Sequence, residues 1–262
     1  MKKLLGYFLL AVFGFSLLSC GTNFGVYPDA DKYLVGNQIY DEDVSSLDID
    51  WVSGGVTLIE DKSIVGVKIE EYTDLTKIEE QVHSYFNNGE LKIKFFASGY
   101  RKNGSWPFKK DLVVTYHPGL DNFNLNLTSG SCNADSLTAS QCHINITSGD
   151  VNIKKINANN VSANCTSGNI TLNKMEVNEF VSSMTSGGLT VEFITVTKAS
   201  FTLTSGDLNM TLPTDGGKVN ISKTSGSVTT NRECVISGNT YSFGMGLAAI
   251  TVSMTSGSVV IY

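Results

Sequence analysis

The sequence has few histidines, and those few are scattered. Its 262 residues include three, His83, His117 and His143. Zinc sites and nucleophile–histidine–carboxylate sets need several such groups brought together, and no spacing here indicates one. A glycine-rich phosphate loop between a strand and a helix is also missing. We therefore assign no catalytic residue, no metal and no cofactor, and we expect the protein not to be an enzyme.

Positive charge is in deficit as well. The formal net charge is −6 at pH 7, with 19 Lys and Arg residues against 25 Asp and Glu residues. This sign argues against nucleic acid as a partner and against simple adhesion to anionic lipid. Proline is scarce, at four residues, whereas glycine numbers 25 and hydrophobic residues make up 41%. Such a chain has many turns and can bury a core, so we expect it to be folded and not disordered.

The N-terminal apolar run is short and follows two lysines. It extends from Leu4 to Leu18, which is too short and wrongly flanked for a transmembrane helix. It ends in Leu17-Leu18-Ser19-Cys20-Gly21, which resembles the lipobox of bacterial lipoproteins. The resemblance implies a signal peptide over residues 1–19 and a lipid on Cys20; an ordinary secretory peptide is the alternative. We expect residues 20–44 to tether an extracytoplasmic domain to the cell membrane or outer membrane.

A tripeptide repeat dominates the rest of the sequence. Thr-Ser-Gly occurs seven times, with spacings of 19, 19, 19, 19, 20 and 31 residues. The copies begin at Thr128, Thr147, Thr166, Thr185, Thr204, Thr224 and Thr255. A degenerate copy, Val52-Ser53-Gly54, lies far upstream. Self-similarity at a fixed period is typical of solenoid proteins.

Aligning the copies on the threonine exposes alternating columns. The residues one, three and five positions before it are nearly all apolar, and those between them are polar. Thus Leu125 and Leu127 flank Asn126, while Ile144 and Ile146 flank Asn145. A period of two is that of a strand with one buried face. Apolar residues resume after each Ser-Gly, so every unit holds two short strands and a shorter third segment.

One such unit cannot bury its own apolar face, but stacked copies can. Strands of successive rungs then lie about 4.8 Å apart, with like residues above like. We therefore predict an all-β, single-chain β-solenoid over residues 45–262, with rungs of about 19 residues and Thr-Ser-Gly corners. Irregular rungs occupy 45–120 and regular repeats 121–262. A β-sandwich would not keep one period over five intervals, and the leucine-rich consensus of leucine-rich repeats is absent.

Both ends of the predicted solenoid are irregular. Residues 82–86 and 91–95 predict a hairpin, because the Asn88-Gly89 pair between them suits a type I′ turn. A short helix over residues 74–86 is the alternative. The sequence ends within an apparent strand, Val259–Tyr262, so we expect the C-terminal rung to be open to end-to-end association.

Several of these segments resemble a known bacterial family. They are the Ile49–Gly54 motif, the strands Gly89–Phe95 and Lys110–Tyr116, the Thr-Ser-Gly ladder and the Tyr241–Gly246 segment. Over residues 45–262 they resemble the "putative adhesin" family, catalogued as domain of unknown function 4097. The resemblance implies a β-solenoid at the cell envelope. The family has no established catalytic residue that the resemblance could assign to this chain.

Two exposed features are candidates for ligand binding. The loop over residues 99–110 places Trp106 beside Arg101, Lys102, Lys109 and Lys110, although a packed hairpin tip is the alternative. A glycan or a protein could be its ligand. The outward column of Asn126, Asn145 and Asn164 is expected to form an amide ladder that stiffens the stack, and binding of sugar or ordered water is its alternative.

The cysteines after Cys20 are expected to act mainly as small buried hydrophobes. If any intrachain disulfide forms, Cys132–Cys142 is the pair that we favour. The functional prediction is a non-enzymatic cell-envelope lipoprotein, an adhesin-like binding or structural module on a rigid rod. The alternatives are a carbohydrate-active β-helix enzyme and an envelope sensor or regulatory partner.

Overall fold

The computed structural model describes residues 25–102 and 109–262. Apart from two 3-10 turns, Ala30–Lys32 and Ile78–Glu80, the regular elements in these ranges are strands. In chain order they are β1 Leu34–Val35, β2 Gln38–Tyr40, β3 Ser46–Trp51, β4 Gly55–Glu60, β5 Val67–Thr73, β6 His83–Asn87, β7 Glu90–Lys94, β8 Lys110–Tyr116, β9 Leu120–Leu127, β10 Ser131–Ala134, β11 Leu137–Ile153, β12 Ile156–Thr195, β13 Lys198–Thr211, β14 Gly216–Lys223, β15 Ser227–Thr230, β16 Val235–Ser237, β17 Thr240–Gly244 and β18 Ala248–Ile261. Within the described ranges no helix has the length and apolarity to span a membrane.

Successive rungs pair in parallel through the middle of the chain. β11 pairs with β9 and β10 on one edge and with β12 on the other, and β12 pairs in turn with β13. Asn145 on β11, for example, lies opposite Asn126 on β9 and Asn164 on β12. Partners in these pairings are 19 residues apart in sequence. Like residues therefore stack above like.

The inward columns form one continuous apolar core. Alternate residues are buried, as in β8, where Leu112, Val114 and Tyr116 are inaccessible to solvent. Buried aromatic side chains pack together in this core, where the ring of Phe180 lies 5.3 Å from that of Phe201. Burial of this apolar surface is what stabilises a stack of strands that individually would not fold.

The Ser-Gly corners bring neighbouring rungs into close contact. Gly130, Gly149, Gly168 and Gly187 all have positive φ, between 104° and 142°. A Cβ atom on Gly149 would overlap the carbonyl oxygen of Gly130 in the rung beside it, and the same relation recurs at the next two corners. Glycine is needed here both for its backbone conformation and because the rungs leave no space for a side chain.

The N-terminal end is closed by antiparallel strands. β3 lies between β9 and β7, and β4 lies between β10 and β8. Beyond them, β6 and β1 extend one sheet, and β5 and β2 extend the other. Asn88 and Gly89 have φ of 50° and 81° at the turn between β6 and β7, so the predicted hairpin is confirmed. The alternative helix is not formed, because only Ile78–Glu80 makes a 3-10 turn.

The C-terminal end differs from the expectation. β18 does not form an open last rung, because it is paired with β13 on one edge and with β14 and β15 on the other. The 31-residue spacing contains the β16–β17 hairpin, which lets the chain turn back and place β18 inside the stack. β17 pairs with the outer edge of β14. The strand predicted to be available for end-to-end association is therefore internal.

The expectation that the cysteines act mainly as small buried hydrophobes is confirmed for three of them, and the alternative, a Cys132–Cys142 disulfide, is not formed. Cys132, Cys142, Cys165 and Cys234 are all free thiols. The first three are buried in the core, and burial raises the pKa of Cys132 and of Cys142 to about 12. They fill core volume as protonated thiols.

Replacing a corner glycine should destabilise the stack. Gly149→Ala should lower the free energy of unfolding by about 2–5 kcal/mol, because it adds steric overlap to backbone strain. Gly119→Ala is the matched control: Gly119 also has a positive φ, of 97°, but has open space where its Cβ would lie. It should cost about 1–3 kcal/mol. Urea unfolding followed by circular dichroism measures both, and equal losses would show that rung-to-rung contact does not constrain the corner.

Candidate functional site

A surface groove runs along the solenoid beside the corners. Its volume is about 660 Å³. Two rows of outward side chains line it, an amide row of Asn126, Asn145 and Asn164 and a hydroxyl row of Thr128, Thr147, Thr166 and Thr185. The residues between the rows, Leu127, Ile146 and Cys165, turn their side chains into the core and contribute the floor. We call this feature the amide–threonine groove.

The amide row is a hydrogen-bonded ladder. Nδ2 of Asn145 donates to Oδ1 of Asn126 over 3.0 Å, and Nδ2 of Asn164 donates to Oδ1 of Asn145 over 3.0 Å. Asn126 donates in turn to the carboxylate of Asp50 over 2.7 Å, and the backbone N–H of Ser183 donates to Asn164. The predicted amide ladder is therefore confirmed. Because every link points the same way, the orientation of each amide is fixed by its neighbours.

The groove also presents polar groups that no other part of the described chain satisfies. The hydroxyls of the four threonines have no protein hydrogen-bond partner among residues 25–102 and 109–262, and these side chains are exposed. Asn126 and Asn145, which are also exposed, each donate one amide N–H to the ladder, so the second N–H of each has no partner among the described residues. The groove can therefore offer a ligand both donors and acceptors, one amide and one hydroxyl on most rungs.

The groove is electrically neutral along its length. None of the described residues that line it is charged. At its N-terminal end the ladder reaches Asp50, whose carboxylate forms an ion pair with Lys94; Lys94 also pairs with Asp48 at 3.3 Å. The single ammonium thus offsets one of the two negative charges at this end.

Two of the three residues predicted for the binding loop, Arg101 and Lys102, lie among the described residues. Arg101 is exposed. Lys102 is not, because its side chain is only 8% exposed and its ammonium lies 2.8 Å from the carboxylate of Glu80. Trp106 and Cys20 lie outside the described residues. The expectation of an exposed basic cluster is therefore wrong for Lys102, and a role for the loop stays a prediction.

Lys110, expected to add charge to that loop, is instead fully buried. Its ammonium donates to the carboxylate of Glu71, also buried, and to the carbonyl oxygen of Glu80 at 2.8 Å. Three aromatic rings surround it, with centroids 5.2, 4.8 and 5.0 Å away, and they belong to Trp51, Phe95 and Phe96. Burial lowers the pKa of Lys110 to about 8, and the negative charge of Glu71 opposes that shift. This cluster joins β8 to the N-terminal cap.

The described residues contain no arrangement that suggests catalysis. No group of three or more His, Cys, Asp or Glu side chains there is placed to hold a metal ion. Glu60, which lines a second surface pocket together with His117, accepts hydrogen bonds from Ser136 and Thr138 and is thereby occupied.

Parallel rungs around an apolar core, with polar rows facing out, are the defining features of a β-solenoid protein. The chain belongs to the Toastrack DUF4097 family, whose model matches residues 44–261. The resemblance stated from the sequence is confirmed by this match. No curated protein matches the sequence.

The chain is similar, at low identity, to solved structures from several bacteria. A "putative adhesin" from Bacteroides fragilis is 13% identical, with 88% of this chain and 97% of that chain covered and a TM-score of 0.49. A "putative cell adhesion protein" from Clostridium sporogenes is 13% identical, with 88% and 99% covered and a TM-score of 0.44. A "putative lipid binding protein" from Parabacteroides distasonis is 13% identical, with 87% and 97% covered and a TM-score of 0.44.

Sequence reasoning missed the hydroxyl row. The threonines were interpreted only as parts of the corners, although they lie two positions after the outward asparagines and therefore share their face. The constant two-residue offset between asparagine and threonine was the sequence signal that could have predicted the hydroxyl row. The concave shape between the rows depends on the bend of the chain, which the sequence pattern does not report.

Breaking the amide ladder should lower the free energy of unfolding by a small amount. Asn145→Ala removes one donated and one accepted hydrogen bond and should lower the free energy of unfolding by about 1–2 kcal/mol. Asn152→Ala is the matched control, since Asn152 is an exposed, outward residue on the next strand face of the same rung. It should change stability by less than about 0.5 kcal/mol. Equal effects of the two substitutions in urea unfolding would contradict a stabilising ladder.

Lys110 should make the free energy of unfolding depend on pH in the alkaline range. Its folded-state pKa of about 8 lies below the unfolded value of about 10.4. Between these values the unfolded chain binds more protons, so this group makes stability rise as pH increases from about 8 towards 10. Urea unfolding of wild type and Lys110→Met at pH 7 to 9.5 should show that this rise is lost in the variant.

The same variant should be less stable at neutral pH by about 3–5 kcal/mol, because Glu71 stays buried without its cation. Lys109→Met is the control, since the neighbouring Lys109 side chain is 69% exposed. It should follow the wild-type pH profile. A Lys110→Met profile parallel to wild type would show that Lys110 is not the titrating group.

Proposed function

We propose that the protein is a non-enzymatic lipoprotein of the cell envelope that uses its rigid solenoid as an adhesin-like binding module. Lipid on Cys20 anchors it to the cell membrane or outer membrane, and the domain after residue 44 is extracytoplasmic. The rung size of about 19 residues and the Thr-Ser-Gly corners give the rod its regular outward surface. The amide–threonine groove is the binding surface.

The observation that carries this proposal is the row of threonine hydroxyls that has no described protein partner and lies beside the hydrogen-bonded amide ladder. The ladder already fixes the amides, so little of their side-chain freedom is lost on binding, and the groove is suited to reversible recognition. The groove is also of the size that ligand sites usually have. Nothing comparable supports catalysis, because the outward columns of the described chain are mainly Asn, Ser and Thr.

A carbohydrate-active enzyme is the main competing function. It would need a carboxylate pair or a cluster of acidic and basic side chains on one outward face. Asp150 and Asp207 share a column, but Asn169 and Gly188 occupy the rungs between them, and Asp150 already accepts a hydrogen bond from Asn169 at 2.9 Å. The arrangement does not supply a working acid and base.

Fractionation and rebinding test the proposal together. Wild-type protein should be recovered with membranes, and Cys20→Ser should be recovered in the soluble extracytoplasmic fraction because it lacks the acyl anchor. The soluble Cys20→Ser protein should then be retained by washed, detergent-extracted envelopes of the same cells. It should release no reducing ends from any polysaccharide in a depolymerisation screen.

Each step has an outcome that contradicts the proposal. Recovery of the Cys20→Ser protein with membranes would contradict the proposed lipid anchor. The proposed binding function would be contradicted if envelopes retained the protein no better than an unrelated acidic protein. Time-dependent release of reducing ends would make the protein an enzyme.

A further inference from the structure

We propose that the amide–threonine groove binds a neutral, linear polysaccharide that bears acetamido groups and lies along the solenoid axis. This inference rests on the proposed binding function and adds the chemical class and the orientation of the ligand.

The orientation follows from the direction of the groove. It crosses the rungs from Asn126 to Thr185, so a ligand within it lies perpendicular to the strands. The backbone N–H and C=O groups of these rungs pair with the neighbouring rungs. An extended peptide is usually recognised through a free strand edge, which the groove does not offer. Recognition must therefore use the side-chain rows.

The spacing of the rows favours a polymer with a regular repeat. One rung advances about 4.8 Å, so chemically similar groups recur at that interval over a length of about 14 Å. Two rungs advance about 9.6 Å. This is close to the repeat of an extended β-1,4-linked disaccharide, so every second sugar, which has the same orientation in such a chain, can meet equivalent amides and hydroxyls without a change in conformation.

The chemistry of the rows selects the substituents. The amides of Asn126 and Asn145 each keep one donor and one acceptor beyond the ladder, which complement the carbonyl and N–H of an acetamido group. The threonine hydroxyls donate to or accept from sugar hydroxyls. Because the described lining carries no charge, desolvating a phosphate or a uronic acid there would be uncompensated, so a neutral chain is favoured.

Isothermal titration with chitotetraose tests the inference on the soluble Cys20→Ser protein. The groove variant is Thr147→Val with Thr166→Val, which removes two hydroxyls but keeps the branched side-chain shape. The control is Thr171→Val with Thr190→Val on a different outward face of neighbouring rungs. We expect chitotetraose to bind, the groove variant to weaken binding by about fivefold or more, and the control to stay within about twofold of the parent. Cellotetraose, which lacks acetamido groups, should bind more weakly than chitotetraose.

The outcomes separate this inference from the proposed function. Absence of chitotetraose binding, equal loss in both variants, or preference for cellotetraose overturns the ligand assignment. If chitotetraose does not bind but envelopes still retain the parent and not the groove variant, the binding function stands and only the ligand class is wrong. Loss of retention after protease treatment of the envelopes would identify a protein ligand and likewise overturn the polysaccharide. Failure of envelope retention itself removes the proposed function.

Discussion

Parallel hydrogen bonding between successive rungs is the interaction on which the whole molecule depends. It holds each strand in register with the one before it, so a residue type that recurs every 19 positions becomes a column along the rod. Apolar columns become the core, asparagines become a ladder, and glycines become corners where backbones touch. A slip of one residue would turn every column to the opposite face. Core, surface and groove are thus consequences of one register.

Much of this architecture can be predicted from the sequence because the repeat is so regular. The alternation around Asn126 and Asn145 predicts which residues face inward, and it predicts the amide ladder as well. The Asn88-Gly89 pair predicts the hairpin because few other residue pairs tolerate two positive φ values. In each case a local rule and the periodic pattern agree.

The remaining features depend on information that the columns do not carry. Val219 and Ile250 occupy the same column, so the pattern cannot say which of their rungs lies nearer the end; the β16–β17 hairpin decides it. Lys110 is in phase with the inward residues Leu112 and Val114, yet its charge suggested exposure. Only the pairing with Glu71 and the surrounding rings explains its burial. The groove cannot be predicted from the columns, because its concave shape depends on how the chain bends between the strands of a rung.

The internal position of β18 has a consequence for how the protein is made. A chain synthesised from its N-terminus can pair β12 with β13 early, but the outer edge of β13 stays unpaired until β18 arrives. The cap strands β14 and β15 wait for the same partner. An interrupted translation product that lacks β18 would therefore be more than a shorter solenoid, because it would expose to aggregation the strand edges on both sides of the gap.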